Sequence, residues 1–263
     1  MNTLKKDIVF DGVGIHSGRS VQMRVSPSTK QGIHFYYDHQ WIRVHINSIG
    51  MNHIRSTTLT NGKATIQTPE HFLAACYALK LTNISVSLNQ TELPILDGSA
   101  IEFVTPLATE LISIDGEDKE KIELKNDIQF RWKDSYYYGF PSNELIVSVY
   151  LSYPDHWLKS MCYTYVHSKN AFINEIASAR TYGFTHELEA LKDQGLAKGG
   201  SLKNALVVSE EGYLNEPRFN DELARHKVLD FLGDMSILGK DLRGNFIIIR
   251  PSHQGNCEFL KQL

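Results

Sequence analysis

Cysteine is scarce in this chain. Cys76, Cys162 and Cys257 are the only three among 263 residues, an odd number with no CxxC spacing. That excludes a disulfide framework and a thiolate zinc or redox site, and it reads as free thiols in a reducing compartment. Long apolar runs are also missing: none approaches the ~18 residues of a membrane span. The start, Met1-Asn2-Thr3-Leu4-Lys5-Lys6-Asp7, has no apolar core of a secretory signal. There is no surplus of positive charge. Lys and Arg number 27 against 30 Asp and Glu, a net charge of -3, which argues against a general nucleic-acid binder. No Gly-Lys-Ser/Thr follows the glycine-rich stretch Gly12-Val13-Gly14-Ile15-His16-Ser17-Gly18, so it is not a phosphate-binding P-loop. Taken alone, an ordinary hairpin turn explains it better, with His16 at its tip as a candidate ligand contact. What remains is a cytoplasmic globular protein of one large or two modest domains.

What is present centres on residues 218–234. His226, Asp230 and Asp234 recur every four residues and project from one stripe of a helix. Leu223, Val228, Leu229, Phe231, Leu232 and Met235 supply its apolar face. Carboxylates beside such a face are costly unless a cation or donor compensates them. An imidazole and a carboxylate one turn apart are a natural pair of first-row metal ligands. For this segment alone, a core histidine salt-bridged to Asp230, with Asp234 solvated, is the slightly better account. The metal reading needs a third ligand from elsewhere.

Thr68-Pro69-Glu70-His71 precedes the apolar run 72–79 and reads as a helix start, Thr68 as N-cap and Pro69 at the first position, with the helix ending near 82–83. Glu70 in the first turn is explained by the helix dipole alone. His71 is not, because that dipole disfavours a charged imidazole and favours the neutral, metal-binding form. His71 is therefore the candidate third ligand, with Glu70 beside it as a candidate general base. Two imidazoles and a carboxylate leave the open position that catalytic zinc requires. Amide hydrolysis also needs an acid. His253, in a Ser/Gly-rich loop at a helix start, suits that role, and Asp234 is placed to keep it protonated. Thr181 is a candidate oxyanion donor and Lys227 a candidate contact for an anionic part of the substrate. A loop hydroxyl and an exposed helix lysine are the plain alternatives for these two. His34, His39, His45 and His53 share no spacing and read as surface or strand-edge residues.

Strands are expected near 6–10, 21–25, 33–37, 42–46, 84–88, 122–132, 144–151, 161–166, 205–208 and 246–250, with a turn around 141–143. Helices are expected near 70–82, 100–111, 170–177, 187–194, 218–234 and from 254 to the end. Gly183 is taken as permitting an unusual backbone. Each half runs strands, then helix, strand, turn, helix, which suggests two similar α+β layers packed face to face.

Six segments carry a specific resemblance. They are the glycine-rich stretch at 12–18, Thr68-Pro69-Glu70-His71, Leu93-Pro94-Ile95-Leu96-Asp97-Gly98-Ser99-Ala100, Ala179-Arg180-Thr181-Tyr182-Gly183-Phe184, Gly199-Gly200-Ser201, and 225–234. In this order they resemble the UDP-3-O-acyl-N-acetylglucosamine deacetylases, the zinc enzymes of lipid A biosynthesis. The resemblance implies one Zn2+ per chain on His71, His226 and Asp230. Glu70 would be the general base and His253 the general acid, held by Asp234. Thr181 would stabilise the oxyanion, and Lys227, Tyr182 and His16 would contact substrate. It implies an α+β fold of two similar domains, 1–116 and 117–263, each a small sheet packed with helices. Together they would form a β-α-α-β sandwich with the site at the seam, with inserts near 33–60 and 185–208. Leu188, Leu191, Leu196, Ala197, Leu202 and Ala205 would line a passage for the acyl chain. The expected partner is a small molecule, an acylated UDP-glucosamine. Nucleic acid is not expected, nor is an integral membrane segment, and the chain is expected to be a monomer. One departure stands out: Arg250-Pro251-Ser252 precedes His253 where Ser-Gly is expected. Rival readings are the same chemistry on another amide, or a metal-stabilised binding protein with a closed coordination shell.

Overall fold

The structure, a computed structural model, describes residues 1–51, 55–115 and 120–263. In the first half, β1 (Ile8–Val13), β2 (Ser20–Pro27), β3 (Gly32–Tyr37) and β4 (Gln40–Arg43) are followed by helix α1 (Glu70–Ala78), β5 (Asn83–Leu88) and helix α2 (Ile101–Thr109). The five strands form one sheet in the order β1-β2-β5-β3-β4, antiparallel throughout except for the parallel pair β5/β3. Alternation drives it: Val21, Met23 and Val25 are buried while Gln22 and Arg24 face out.

The second half repeats this plan. Strands β6 (Ile128–Trp132), β7 (Ser135–Phe140), β8 (Leu145–Tyr153) and β9 (Lys159–Val166) lead to helices α3 (Leu188–Asp193) and α4 (Glu222–Met235), then β10 (Asp241–Ile249) and helix α5 (His253–Leu260). Their order is β6-β7-β10-β8-β9, again antiparallel except for the parallel pair β10/β8. The short strand Lys121–Glu123 runs parallel to β10. Both sheets thus place the fifth strand centrally between the second and third, with a helix on either side of it in sequence.

Aromatic side chains join the helices to the sheets. Phe72 of α1 meets Phe35 at 6.2 Å and Phe103 of α2 at 5.7 Å, and Phe103 meets Phe10 at 5.2 Å. On the other side Phe231 of α4 meets Phe246 at 5.9 Å, and Phe259 of α5 stacks on Tyr137 at 5.0 Å. Helix α1 packs along α4. All nine residues of α1 are buried, as expected of a helix enclosed on every side. The close approach depends on Gly233, where an added Cβ would lie 2.1 Å from the Glu70 carbonyl oxygen.

Several expectations are corrected. Strand β7 is an additional strand, ahead of the turn expected at 141–143. Helix α1 starts one residue later than expected, with Pro69 as N-cap. Thr68 cannot cap it, because its backbone is left-handed (φ 57°) and its hydroxyl lies 3.5 Å from Glu92 Oε1. The same helix ends at Ala78 rather than near 82, followed by Lys80 at φ 51°. Gly183 lies in the short strand Tyr182–Phe184 and has no left-handed backbone. His34 is 3% exposed and not a surface residue. Strand β3 is flanked on both sides, and Arg43 lies opposite His34 in register. The expected boundary at 116/117 and His53 lie outside the described residues. Among the described residues no helix is long and apolar enough to cross a membrane.

Candidate functional site

Helix α4 carries His226, Asp230 and Asp234 on one stripe, all buried, Asp234 at 0% exposure. A solvated Asp234 is therefore ruled out. The first turn of α1 sets His71 against the same stripe. His71 Nε2 lies 3.6 Å, and His226 Nε2 3.2 Å, from Asp230 Oδ1. The three ligand atoms lie within 4.8 Å of one another.

These residues fit a divalent cation for a specific reason. His226 Nδ1 is 3.1 Å from the Ala179 carbonyl oxygen. A carbonyl only accepts, so Nδ1 carries a proton, and in the neutral, ligating form of the ring Nε2 presents a lone pair. That lone pair faces Asp230 Oδ1, a buried oxygen with no hydrogen-bond partner among the described residues. The 3.2 Å approach meets the distance of an ion pair but not the geometry of a hydrogen bond, so a plain His226–Asp230 salt bridge leaves the oxygen unsatisfied. Lone-pair atoms converging in a buried space are unfavourable until a cation lies between them. Two neutral imidazoles and one carboxylate are a usual donor set for such an ion. Burial holds His71 below its ordinary pKa, which favours the neutral ligand form. Burial opposes ionisation of Asp230, but His226, Lys227 and His253 outweigh it and hold the carboxylate well below its usual range.

Two titratable groups flank the triad. Glu70 is 2% exposed, and its Oε2 accepts from the Thr57 backbone N–H at 3.2 Å. Burial pushes its carboxyl up to about 8, partly offset by His253. His253 Nε2 lies 3.9 Å from Glu70 Oε1 and 3.7 Å from Asp230 Oδ2. Its Nδ1 donates to Asp234 Oδ2 at 3.1 Å. Burial disfavours the imidazolium, but Asp234, Asp230 and Glu70 together push its pKa up to about 9. Pro251 does not prevent this contact. Ser252 caps α5, its hydroxyl oxygen accepting from Gly255 N at 3.1 Å, and His253 enters the site as the first helical residue.

The remaining candidates share one cavity of about 850 Å³ with the triad, Glu70 and His253. Lys227 Nζ lies 2.8 Å from Asp230 Oδ2 and 5.4 Å from the centre of the Tyr182 ring. With a side chain 18% exposed, it is not the exposed helix lysine of the plain alternative. Tyr182 faces Tyr153, their hydroxyls 3.3 Å apart. Thr181 lines the cavity, held by its N–H to the Gly98 carbonyl at 2.7 Å. His16 lines it too; its loop is held by Glu92, which accepts from the N–H groups of His16 and Ser17, each at 2.8 Å. Leu188, Leu191, Ala197, Leu202 and Ala205 line the cavity, whereas Leu196 does not.

Sequence reasoning missed the residues that hold these groups in place. Asp234 accepts from Thr57 Oγ1 at 2.5 Å and from Asn256 Nδ2 at 2.8 Å, and the Tyr137 hydroxyl donates to Asn256 Oδ1 at 2.9 Å. Asn256 follows His253 by three residues on one helix, so its position on the same face was legible. Thr57 and Tyr137 offered no such signal. Buried Glu222, at the start of α4, accepts from the Arg180 guanidinium at 2.8 and 3.1 Å and from the Arg180 and Arg218 backbone N–H groups. That clamp fixes the segment that presents the Ala179 carbonyl to His226 and Thr181 to the cavity.

The family model described as LpxC, UDP-3-O-acyl N-acetylglycosamine deacetylase, matches residues 1–263. A Helicobacter hepaticus protein named UDP-3-O-acyl-N-acetylglucosamine deacetylase is 34% identical over 265 residues, covering 99% of this chain and 89% of that protein. A Leptospira biflexa protein of that name is 33% identical over 95% of this chain and 85% of its own length. One from Thermodesulfovibrio yellowstonii is 31% identical over 99% and 90%.

Proposed function

This chain belongs to the UDP-3-O-acyl N-acetylglycosamine deacetylase family, and from that premise we propose that it hydrolyses the 2-acetamido group of a UDP-linked, 3-O-acylated glucosamine, releasing acetate. One Zn2+ would be held by His71, His226 and Asp230. The observation that carries this reading is the unpartnered, buried Asp230 Oδ1 facing the Nε2 atoms of both histidines inside the cavity. The chemistry supplied by a cation there is polarisation of the amide carbonyl and a lowered pKa for water.

The chain's own groups do the rest. Glu70, raised towards neutrality by burial, takes the proton of the attacking water; a cation beside it would pull its pKa back down, favouring the carboxylate that accepts. His253, kept charged by Asp234, gives the Nε2 proton to the departing amine. Thr181 donates to the developing oxyanion. Lys227, 2.8 Å from Asp230 Oδ2, turns its charge to an anionic part of the substrate, with Tyr182 and His16 as further contacts. Lys133 and Arg250 line the same cavity and offer positive charge to the diphosphate. The leucines of α3 with Ala197, Leu202 and Ala205 bury the acyl chain. In this reading the repeated sheet order marks two similar domains, a β-α-α-β sandwich with the site at its seam.

The test is metal content together with deacetylation of UDP-3-O-acyl-N-acetylglucosamine, for wild type and Asp230→Ala. Zinc near one per chain with activity, both lost in the variant, is the expected outcome. Zinc without that activity would transfer the site to another amide. No zinc in the wild type would overturn the ligand assignment.

A further inference from the structure

Thr57 makes two contacts of different kind at the centre of the site. Its backbone N–H donates to Glu70 Oε2 at 3.2 Å, and its hydroxyl donates to Asp234 Oδ1 at 2.5 Å. The residue is 0% exposed. Asp234 Oδ2 is taken by His253 Nδ1 and Asn256 Nδ2, and the threonine hydroxyl serves Oδ1. The same hydroxyl oxygen is 3.4 Å from His253 Nδ1, farther than the 3.1 Å to the carboxylate. Glu70 stands on α1 in the first half of the chain, and Asp234 and His253 stand on α4 and α5 in the second.

We propose that Thr57 is a positioning residue that ties the base and the acid of the reaction to one backbone point. Its N–H orients the Glu70 carboxyl, and its hydroxyl orients Asp234 and, through Asp234, the His253 imidazole. The inference rests on the roles given above to Glu70 and His253. The physical reason is geometric. Glu70 Oε1 and His253 Nε2 lie 3.9 Å apart and must address opposite ends of one bond-making, bond-breaking sequence at a single carbon. Groups carried on separate helices keep that spacing only if something common to both fixes it, and small misplacements are costly in rate. A buried carboxylate oxygen deprived of its donor is also left unsatisfied, which favours rotation of the Asp234 carboxylate away from its present orientation.

The side-chain contact is separable from packing. Valine keeps the shape of threonine without the donor, alanine removes donor and volume, and serine keeps the donor. The experiment uses zinc-loaded protein and UDP-3-O-acyl-N-acetylglucosamine. Thr57→Val is expected to lower kcat by about 10-fold or more with KM within about twofold, and Thr57→Ser to return kcat to within about threefold of wild type. Zinc content stays at the wild-type level in each. In protein labelled with 15N-histidine, the proton resonance of His253 Nδ1–H moves in Thr57→Val and returns in Thr57→Ser. Should the valine variant not fold, Thr57→Ala against Thr57→Ser carries the same comparison. A hydroxyl-free variant with unchanged kcat and an unmoved resonance overturns the proposal, as does a serine variant as slow as valine. Wild type inactive on this substrate would instead sink the assigned activity, and the resonance comparison would still decide the role of Thr57.

Discussion

Asp234 and His253 make a buried pair whose work is visible in single atoms. The carboxylate accepts from Nδ1, which leaves the Nε2 proton facing Glu70 and Asp230. His253→Ala removes that proton donor without touching a ligand of the triad. It is expected to lower kcat by about 10²- to 10⁴-fold while zinc stays near one per chain, as read by steady-state kinetics and metal analysis. Loss of zinc in that variant would mean that acid and ligand had been confused. A second histidine, His167, does not line the cavity and bears on acid stability. Burial lowers His167 from 6.5 to about 4, with Asp241 acting in the opposite direction. The unfolded chain then takes up the proton first as pH falls, so His167 costs nothing above pH 6.5 and destabilises the fold progressively down to about pH 4. That difference corresponds to about 3 kcal/mol at most. Urea unfolding at stepped pH should show a shallower acid limb in His167→Gln; an unchanged limb would assign the loss to other groups.

Helices α1 and α4 are the elements on which the proposed ligand set depends, because one supplies His71 and the other His226 and Asp230. Gly233 permits their contact, with the Glu70 carbonyl oxygen 2.1 Å from where a Cβ would stand. Backbone cannot swing aside as a side chain can. Gly233→Ala is therefore expected to push the helices apart, lower Tm, weaken zinc retention and reduce activity together, at a cost of about 1–3 kcal/mol. Calorimetry and metal retention after dialysis check this, and an alanine variant with full zinc and wild-type Tm would refute the account. Part of the site at this scale was legible in the sequence. The stripe of His226, Asp230 and Asp234 follows from helical period alone. The partner of that stripe was inferred from an oddly placed imidazole at a helix start, although the helix starts one residue later than expected. Strand β7 and the Arg180–Glu222 clamp were not legible: the first shows no clear alternation of polar and apolar residues, and the second joins distant positions.

At the scale of the molecule, two sheets share one strand order, and the cavity runs from the triad to residues following β9. Its apolar lining comes from α3 and the segment that follows it, including Leu188, Leu191 and Ala205. Ala205→Trp should fill this part of the cavity. For a long-acyl substrate kcat/KM is expected to fall by about 10-fold or more, while an analogue lacking the acyl chain is turned over at the wild-type rate. Equal losses on both substrates would place the acyl chain elsewhere. The glycine-rich loop closes against this cavity through Glu92, a residue 1% exposed. A Cβ on Gly14 would meet Glu92 Oε2 at 2.2 Å, which is why that loop carries glycine there rather than a larger residue.

What the sequence determined by itself was local or categorical. The spacing on α4, the alternation within strands such as β2, the absence of membrane and thiolate-metal patterns, and the ordered motifs of one enzyme family all lie along the chain. Helix and strand periods are short-range properties of the backbone, so they survive without knowledge of neighbours. Only the tertiary structure decided that His71 meets His226 and Asp230, that Asp234 is buried rather than solvated, and that Thr57 serves Glu70 and Asp234 at once. Those contacts join residues up to 177 positions apart. Their geometry depends on how α1 seats on α4, a consequence of packing over the whole core that no local period encodes.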